Sequence, residues 1–375
     1  MTTVLTDLTL LPGRGADPIP VARIQLDDSG VITAIEPGAG SETRFLVPAG
    51  VDLHLDNFIE RRRPRASVVL DLATVVAAMD AECAAAGIGT VCVAARCEES
   101  PGKGVIARDA VILAEVVQKL HGSLACDWRL HARVEITDQI ALETLAEVLQ
   151  VSDRVALVSM MEHTINRSRF GSEEATIAYY AEDWGKSVEE TAAIFAAKTL
   201  TEEQRRQRRA QVAELARKHG IPLASHDDRE PGQVDDAHRL GARIAEFPLS
   251  AAAAERAGEL GMFRVLGAPN AMRGKSTSPG NLLVGDATRA GLVDGLCTDY
   301  LPISLYAGAF ALADRGEVSL VEAVDLVSTG PADVLGLEQP EIAVGQPLTA
   351  VLLERADGAL LGRGLWRSGV RTFMR

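Results

Sequence analysis

The feature that most constrains this chain is an alternation. Between residues 48 and 340, short apolar runs of strand length take turns with helical stretches. The runs are "VPAGVDLHLD", "GTVCVAA", "WRLHARVEI", "VALVSMMEH", "IPLASHD", "ARIAEFP", "FRVLGAP" and "DGLCTD". Parallel strands cannot be joined by a tight turn and need a crossover, usually a helix. Eight strands joined in this way predict an α/β fold, a TIM-type (β/α)8 barrel. The helical stretches carry their own start and stop signals: "DLATVVAAMDAECAAAG" ends on Gly87, and "PLSAAAAERAGELG" offers Ser250 as N-cap and Gly261 as terminator.

The two ends of the chain read differently. "TVLTDLTLL", "VARIQLD" and "VITAIEP" near the start, and "TAVLLERA" and "GLWRSGVRTFM" near the end, are short strands between Gly, Pro and Asp turns. They predict a small β-sandwich domain built from residues 1–47 and 341–375, with the barrel over 48–340. Residues 171–219 are almost wholly helical and polar, with a capping box at Thr201 and Gln204. This stretch reads as an insertion in a strand-to-helix loop, either a lid over the active face or a surface helical pair. Its basic run "RRQRR" reads as a solvated face.

The formal net charge of -14 argues against nucleic acid or an anionic membrane as partner, but not against a small anionic substrate. The five cysteines, Cys83, Cys92, Cys97, Cys126 and Cys297, form no C-x-x-C pair and are odd in number, which fits reduced thiols in a cytoplasmic protein. No secretory signal opens the chain, and no apolar run is long enough to span a bilayer.

Chemistry gathers at the carboxyl ends of the predicted strands, where barrels put catalytic groups. The first strand ends in His54 and Asp56, the third in Glu135, the fourth in His163, the fifth in His226, Asp227 and Asp228, and the eighth in Asp299. Residues i and i+2 of a strand share a face, so His54 and Asp56 can reach one ion. Imidazoles with carboxylates suit a divalent transition ion, and Glu135 could bridge two. His121, His219 and His238 lie in or beside charged helical stretches and read as exposed, while His131 either lines the site from below or simply packs. Three basic clusters follow strand ends: Arg61, Arg62, Arg63 and Arg65; Arg167 and Arg169; and Arg273 with Lys275. Guanidinium groups grip phosphate oxygens with paired hydrogen bonds. Three such clusters on one rim point to a multiply charged anion. The stretch "GAPNAMRGKSTSPGN" supplies an anion-binding loop that matches neither a Walker nor a dinucleotide fingerprint.

Taken in order, "VPAGVDLHLDN", "VSMMEHT", "ASHDD", "IAEFP", "GAPN..RG" and "TDYLP" resemble the amidohydrolase superfamily. More narrowly, they are similar to its α-D-ribose 1-methylphosphonate 5-triphosphate diphosphatase branch, which serves phosphonate catabolism. The resemblance implies a metal-dependent hydrolase with one or two divalent ions, zinc or manganese. The ligand positions it implies are His54, Asp56, Glu135, His163, His226 and Asp299, with Asp299 also the general base. The substrate contacts expected around them are Asn57, Arg61, Arg65, Arg167, Arg169, Asp227, Asn270, Arg273, Lys275, Ser276 and Asn281. The partner implied is a small phosphorylated molecule, and barrels of this type often pair, so a homodimer is expected. The chain departs from the branch at Leu55, at Glu60 and at Thr277. The superfamily also places its two ligand histidines one strand later than this count, which implies a misplaced strand boundary. The alternatives are a paralogue that cleaves a C–N bond and a non-catalytic anion-binding protein.

Overall fold

The structure is a computed structural model that describes residues 3–65, 67–100, 104–168, 170, 172–276, 280–339 and 341–374. Eight strands form the central sheet: β5 (Gly50–Leu55), β6 (Ile88–Cys97), β7 (Asp127–Glu135), β8 (Val155–Met161), β9 (Leu223–His226), β10 (Ile244–Glu246), β11 (Phe263–Gly267) and β12 (Gly295–Cys297). They lie in sequence order, and every neighbouring pair is parallel. The eight fall where the sequence pattern puts them, so the suspected boundary error is not there.

Hydrogen bonds between the first and last strands close the barrel. Asp299 N donates to His54 O at 2.8 Å, Asp56 N donates to Asp299 O at 2.5 Å, and the buried Asp52 carboxylate accepts from Thr298 N at 3.0 Å. These bonds join the two edge strands at their carboxyl ends and draw His54, Asp56 and Asp299 onto one seam.

Strand β7 shows how the barrel acquires a polar interior. Leu130, Ala132 and Val134 join the apolar layer against the helices, so the intervening His131, Arg133 and Glu135 must point inward. The helix Leu72–Ala85 starts on Asp71, whose side chain accepts from Thr74 N at 2.9 Å, and ends before Gly87. Gly87 has φ +85, and a Cβ there would sit 2.8 Å from Val351 Cγ2, so glycine serves both the turn and the close approach. Asp80 on this helix clamps the start of β7 by accepting from Ala125 N, Cys126 N and Trp128 Nε1 at 2.8–2.9 Å.

The stretch 171–219 divides in two. The helices Glu173–Trp184 and Val188–Ala197 pack through an aromatic cluster of Tyr180, Trp184 and Phe195, with ring centroids 5.0–5.7 Å apart. The helix Glu202–Lys218 instead buries Val212, Ala213 and Ala216 and is the crossover between β8 and β9. Its basic run is not simply a solvated face. Arg205 and Arg209 turn inward to Glu162, and Arg208 donates to the carbonyls of Ile136 and Asp138. Spacings of three and four residues place these arginines above the buried Val212 face.

Both ends of the chain share a seven-stranded sheet ordered β15-β14-β13-β4-β1-β2-β3. Its strands are β1 (Thr3–Leu10), β2 (Ile19–Leu26), β3 (Ile32–Pro37), β4 (Arg44–Pro48), β13 (Ala350–Ala356), β14 (Ala359–Arg367) and β15 (Val370–Met374). Only β1 and β4 pair in parallel among the described strands of this sheet. The sheet curls until Ile32 N donates to Gln346 O at 2.9 Å and Leu348 N to Gly30 O at 3.0 Å. That curl encloses Leu8, Leu10, Ile24, Leu46 and Trp366. All five cysteines are buried and free, and among the described residues no helix is long and apolar enough to cross a membrane.

Replacing Asp80 with Ala strands three buried donors at once. The expected cost is about 3 kcal/mol of stability, measured as a lower denaturation midpoint. An unchanged midpoint contradicts the clamp.

Candidate metal centre

A cleft of about 230 Å³ opens at the carboxyl ends of the barrel strands. Its floor carries His54 and Asp56 from β5, Arg133 from β7, and His163, which follows β8. His226 and Asp227 from β9 and Asp299 after β12 complete it. One rim is the segment after β11, with Asn270, Arg273, Lys275, Ser276 and Asn281. Tyr180, from the first inserted helix, lines it as well.

Three residues of the mouth have left-handed backbones without being glycine: Asp227 at φ 55, Phe247 at φ 52 and Asp299 at φ 55. Such conformations cost about 1–3 kcal/mol each. Each directly follows or closely follows a strand end, where the bonds to the neighbouring strand hold it. Asp227 N donates to Glu246 O at 3.0 Å, and Asp299 is pinned on both sides by β5.

Beneath the cleft lies Glu246, fully buried. Its Oε1 is 2.7 Å from His54 Nδ1, and its Oε2 accepts from Ser159 Oγ at 2.6 Å. His131 Nε2 and His226 Nε2 approach the same oxygen at 3.6 and 3.8 Å. Burial alone would raise the pKa of Glu246, but the charge of His131 and His54 and the bond from His54 outweigh it and hold it well below the usual range. Burial likewise opposes a proton on His54, yet the charge and hydrogen bond of Glu246 raise its pKa. His131, buried and bonded to Ser159, is pushed down to about 3 because burial outweighs the charge of Glu246. It packs in the layer below the cleft.

Glu135 does the same for His163. Its Oε1 accepts from Thr137 N and Oγ1 at 3.1 and 2.6 Å, and its Oε2 lies 2.7 Å from His163 Nδ1. Burial would raise its pKa, but the hydrogen bond and charge of His163 and the Thr137 hydroxyl outweigh it and hold it at about 2. Both oxygens are thus engaged, and Glu135 is absent from the cleft lining. In this arrangement Glu135 orients His163.

The expected substrate contacts separate into two sets. Arg273, Lys275 and Ser276 face the cleft, and among the described residues neither Arg273 nor Lys275 has a carboxylate partner. Asn270 and Asn281 line it while bracing the rim: Asn270 Oδ1 accepts from Val284 N at 3.3 Å and Asn281 Oδ1 from Arg229 Nη2 at 2.8 Å. Arg61, Arg65 and Arg167 do not line it. In the helix Phe58–Arg62 the buried Phe58 takes the inward face, so Arg61 turns outward to Glu82 at 2.8 Å. Arg65 sits on an isolated bridge with Val68, and Arg167 is held by Asp228 at 2.6 Å. Asn57 donates to Tyr300 O at 2.7 Å and braces the seam. Arg169 lies outside the described residues. In place of the first two clusters, the cleft receives Arg96 and Arg133, which point inward from β6 and β7.

The donor set fits a divalent ion. His163, His226 and Asp227 bring one ligand atom each within 4.8 Å of one another, and so do His54, His226 and Glu246. His54 Nε2 is buried without a hydrogen-bond partner among the described residues, 3.9 Å from Asp299 Oδ1. A carboxylate on Nδ1 that leaves Nε2 to face the cleft is the usual support of a metal-binding imidazole. Mixed nitrogen and oxygen donors suit zinc or manganese.

No protein-family model matches the chain. It is 33% identical over 343 residues to the alpha-D-ribose 1-methylphosphonate 5-triphosphate diphosphatase of Escherichia coli (strain K12), covering 88% of this chain and 89% of that one. Among solved structures, it resembles 5-methylcytosine deaminase from Klebsiella pneumoniae with a TM-score of 0.61 at 14% identity, over 100% of this chain and 98% of that one. N-acetyl-D-glucosamine-6-phosphate deacetylase from Mycobacterium smegmatis gives 0.57 at 14% identity, over 99% and 100%. At such identities the two structures speak for the fold alone.

Because the folded pKa of Glu135 lies below its ordinary 4.5, its contribution to stability is present above that value and lost as pH falls towards about 2. Metal-stripped Glu135→Gln should therefore lose less stability than the wild type between those pH values, measured by denaturant titration. Parallel losses contradict the assignment.

Proposed function

The chain belongs to the amidohydrolase superfamily, in the branch of the alpha-D-ribose 1-methylphosphonate 5-triphosphate diphosphatases, and from that premise we propose that it is a metal-dependent phosphoanhydride hydrolase. Its substrate is the ribose triphosphate of that branch, and its action releases pyrophosphate. The observation that carries this reading is the pairing of two features in one cleft: a floor of imidazoles and carboxylates, and a rim where Arg273 and Lys275 have no carboxylate partner among the described residues. A cut at a C–N bond needs the floor but gives no reason for the rim.

One or two divalent ions would be held by donors among His54, Asp56, His163, His226, Asp227 and Asp299. Such an ion, when bound, lowers the pKa of a water and offsets negative charge on phosphate oxygens. The chain's own residues do the rest. Arg273 and Lys275, with the Ser276 hydroxyl, grip the terminal phosphates and stabilise the charge that builds on the departing pyrophosphate. Asp299, 41% exposed at its side chain and 3.9 Å from His54 Nε2, accepts the proton of the attacking water at a carboxylate oxygen. Its strained backbone holds that carboxylate over the cleft. Tyr180, which also lines the cleft, limits access of bulk water.

The test is product analysis with a panel of ribose and nucleoside triphosphates, before and after removal of metal. Pyrophosphate released from the ribose triphosphate, lost with a chelator and restored by manganese or zinc, is the expected outcome. Activity on cyclic amides with no release from any triphosphate sinks the proposal. Asp299→Asn should lower kcat by about 100- to 10,000-fold while metal stays bound. Arg273→Ala or Lys275→Ala should each raise KM for the triphosphate by about 10- to 100-fold, the loss of one charge-assisted hydrogen bond.

A further inference from the structure

The donors under the cleft fall into two groups that share His226. His54, Glu246 and Ser159 are tied to one another by contacts of 2.6–2.7 Å, and all three are buried. His163, His226 and Asp227 form the more accessible group. Arg133 stands between Asp56 and His226. Its side chain is only 7% exposed and points into the barrel two residues before Glu135. One end of the guanidinium donates to Asp56 Oδ2, and the other donates to His226 Nε2 at 3.4 Å. The remaining nitrogen of His226, Nδ1, then faces Asp227, whose Oδ2 lies 3.4 Å away.

A guanidinium stays protonated across the whole working range of a protein. Asp56 is therefore neutralised by a charge that no solution condition removes. A divalent ion placed on Asp56 would lie against that guanidinium, in an interior that screens poorly. An ion on Nδ1 of His226 is separated from that guanidinium by the imidazole ring, and the carboxylates of Asp227 and Glu135 favour it.

We propose that Arg133 is a positioning residue that takes the place of a second cation: it keeps Asp56 out of the ligand set and limits the centre to one divalent ion, held by His163, His226 and Asp227. This rests on the metal-dependent reading above and narrows it. Asp56 and Arg133 together then form a fixed, charge-balanced wall of the cleft. Arg96, which pairs with Glu98 at 2.5–2.9 Å, sets the edge of that wall.

Counting ions tests this without reference to turnover. Metal-stripped protein is titrated with manganese alone and with zinc alone, and the bound ions are counted by native mass spectrometry. The wild type should bind one equivalent, Asp56→Asn should keep it, and His163→Asn should lose it. Arg133→Met should gain a second equivalent, and Arg133→Lys should return to one. Two equivalents in the wild type, or an ion lost in Asp56→Asn and kept in His163→Asn, overturns the inference. If Arg133→Met fails to fold, the Asp56 and His163 variants still decide. A wild type that binds no ion overturns the metal-dependent reading and this inference with it, a result distinct from the two-ion outcome.

Discussion

The centre depends on a carboxylate that has been taken out of water. Glu246 lies under the cleft with His54 on one oxygen and Ser159, His131 and His226 around the other. Burying such a charge costs several kcal/mol unless its lone pairs are filled, and here two of the surrounding groups, His54 and His226, also line the site. The bond to Nδ1 decides which nitrogen of His54 faces the cleft. Glu135 makes the same decision for His163. Two buried carboxylates, each behind an imidazole, thus set the geometry of the floor before anything binds.

Barrel closure supplies the other half. The seam between β5 and β12 is made by backbone bonds of His54, Asp56 and Asp299, so pairing the first and last strands and assembling the site are one event. The left-handed turns at Asp227, Phe247 and Asp299 store strain against that paired frame. Around it, the terminal sheet grips the outer end of the helix Leu72–Ala85 through the close approach at Gly87, while the aromatic cluster of the inserted helices delivers Tyr180 to the mouth.

The barrel was legible because strand and helix periods differ and each strand ends in a polar break. The rule that chemistry sits at those ends located His54, Asp56, His163, His226, Asp227 and Asp299. It failed where a neighbour decides a side chain's direction. Arg61 and Arg167 follow strand ends as well as Arg273 does, but Glu82 and Asp228 claim them, and those partners are remote in sequence. Arg96 and Arg133 were overlooked for the converse reason: arginines near the end of a strand look like surface groups until the barrel turns them inward. Glu246 was missed although it ends a predicted strand, because histidines drew the search. A carboxylate at the end of "ARIAE", ahead of Phe-Pro, carried the same positional signal as His54. The arginines of "RRQRR" needed the buried Val212 face before their inward direction could be seen.

The most direct measurement is anomalous diffraction from crystals of the protein loaded with manganese or zinc. The account predicts an anomalous peak at the floor of the cleft, within coordination distance of His163 and His226. A fully loaded crystal with no peak there, or with its ion bound elsewhere on the barrel, contradicts it.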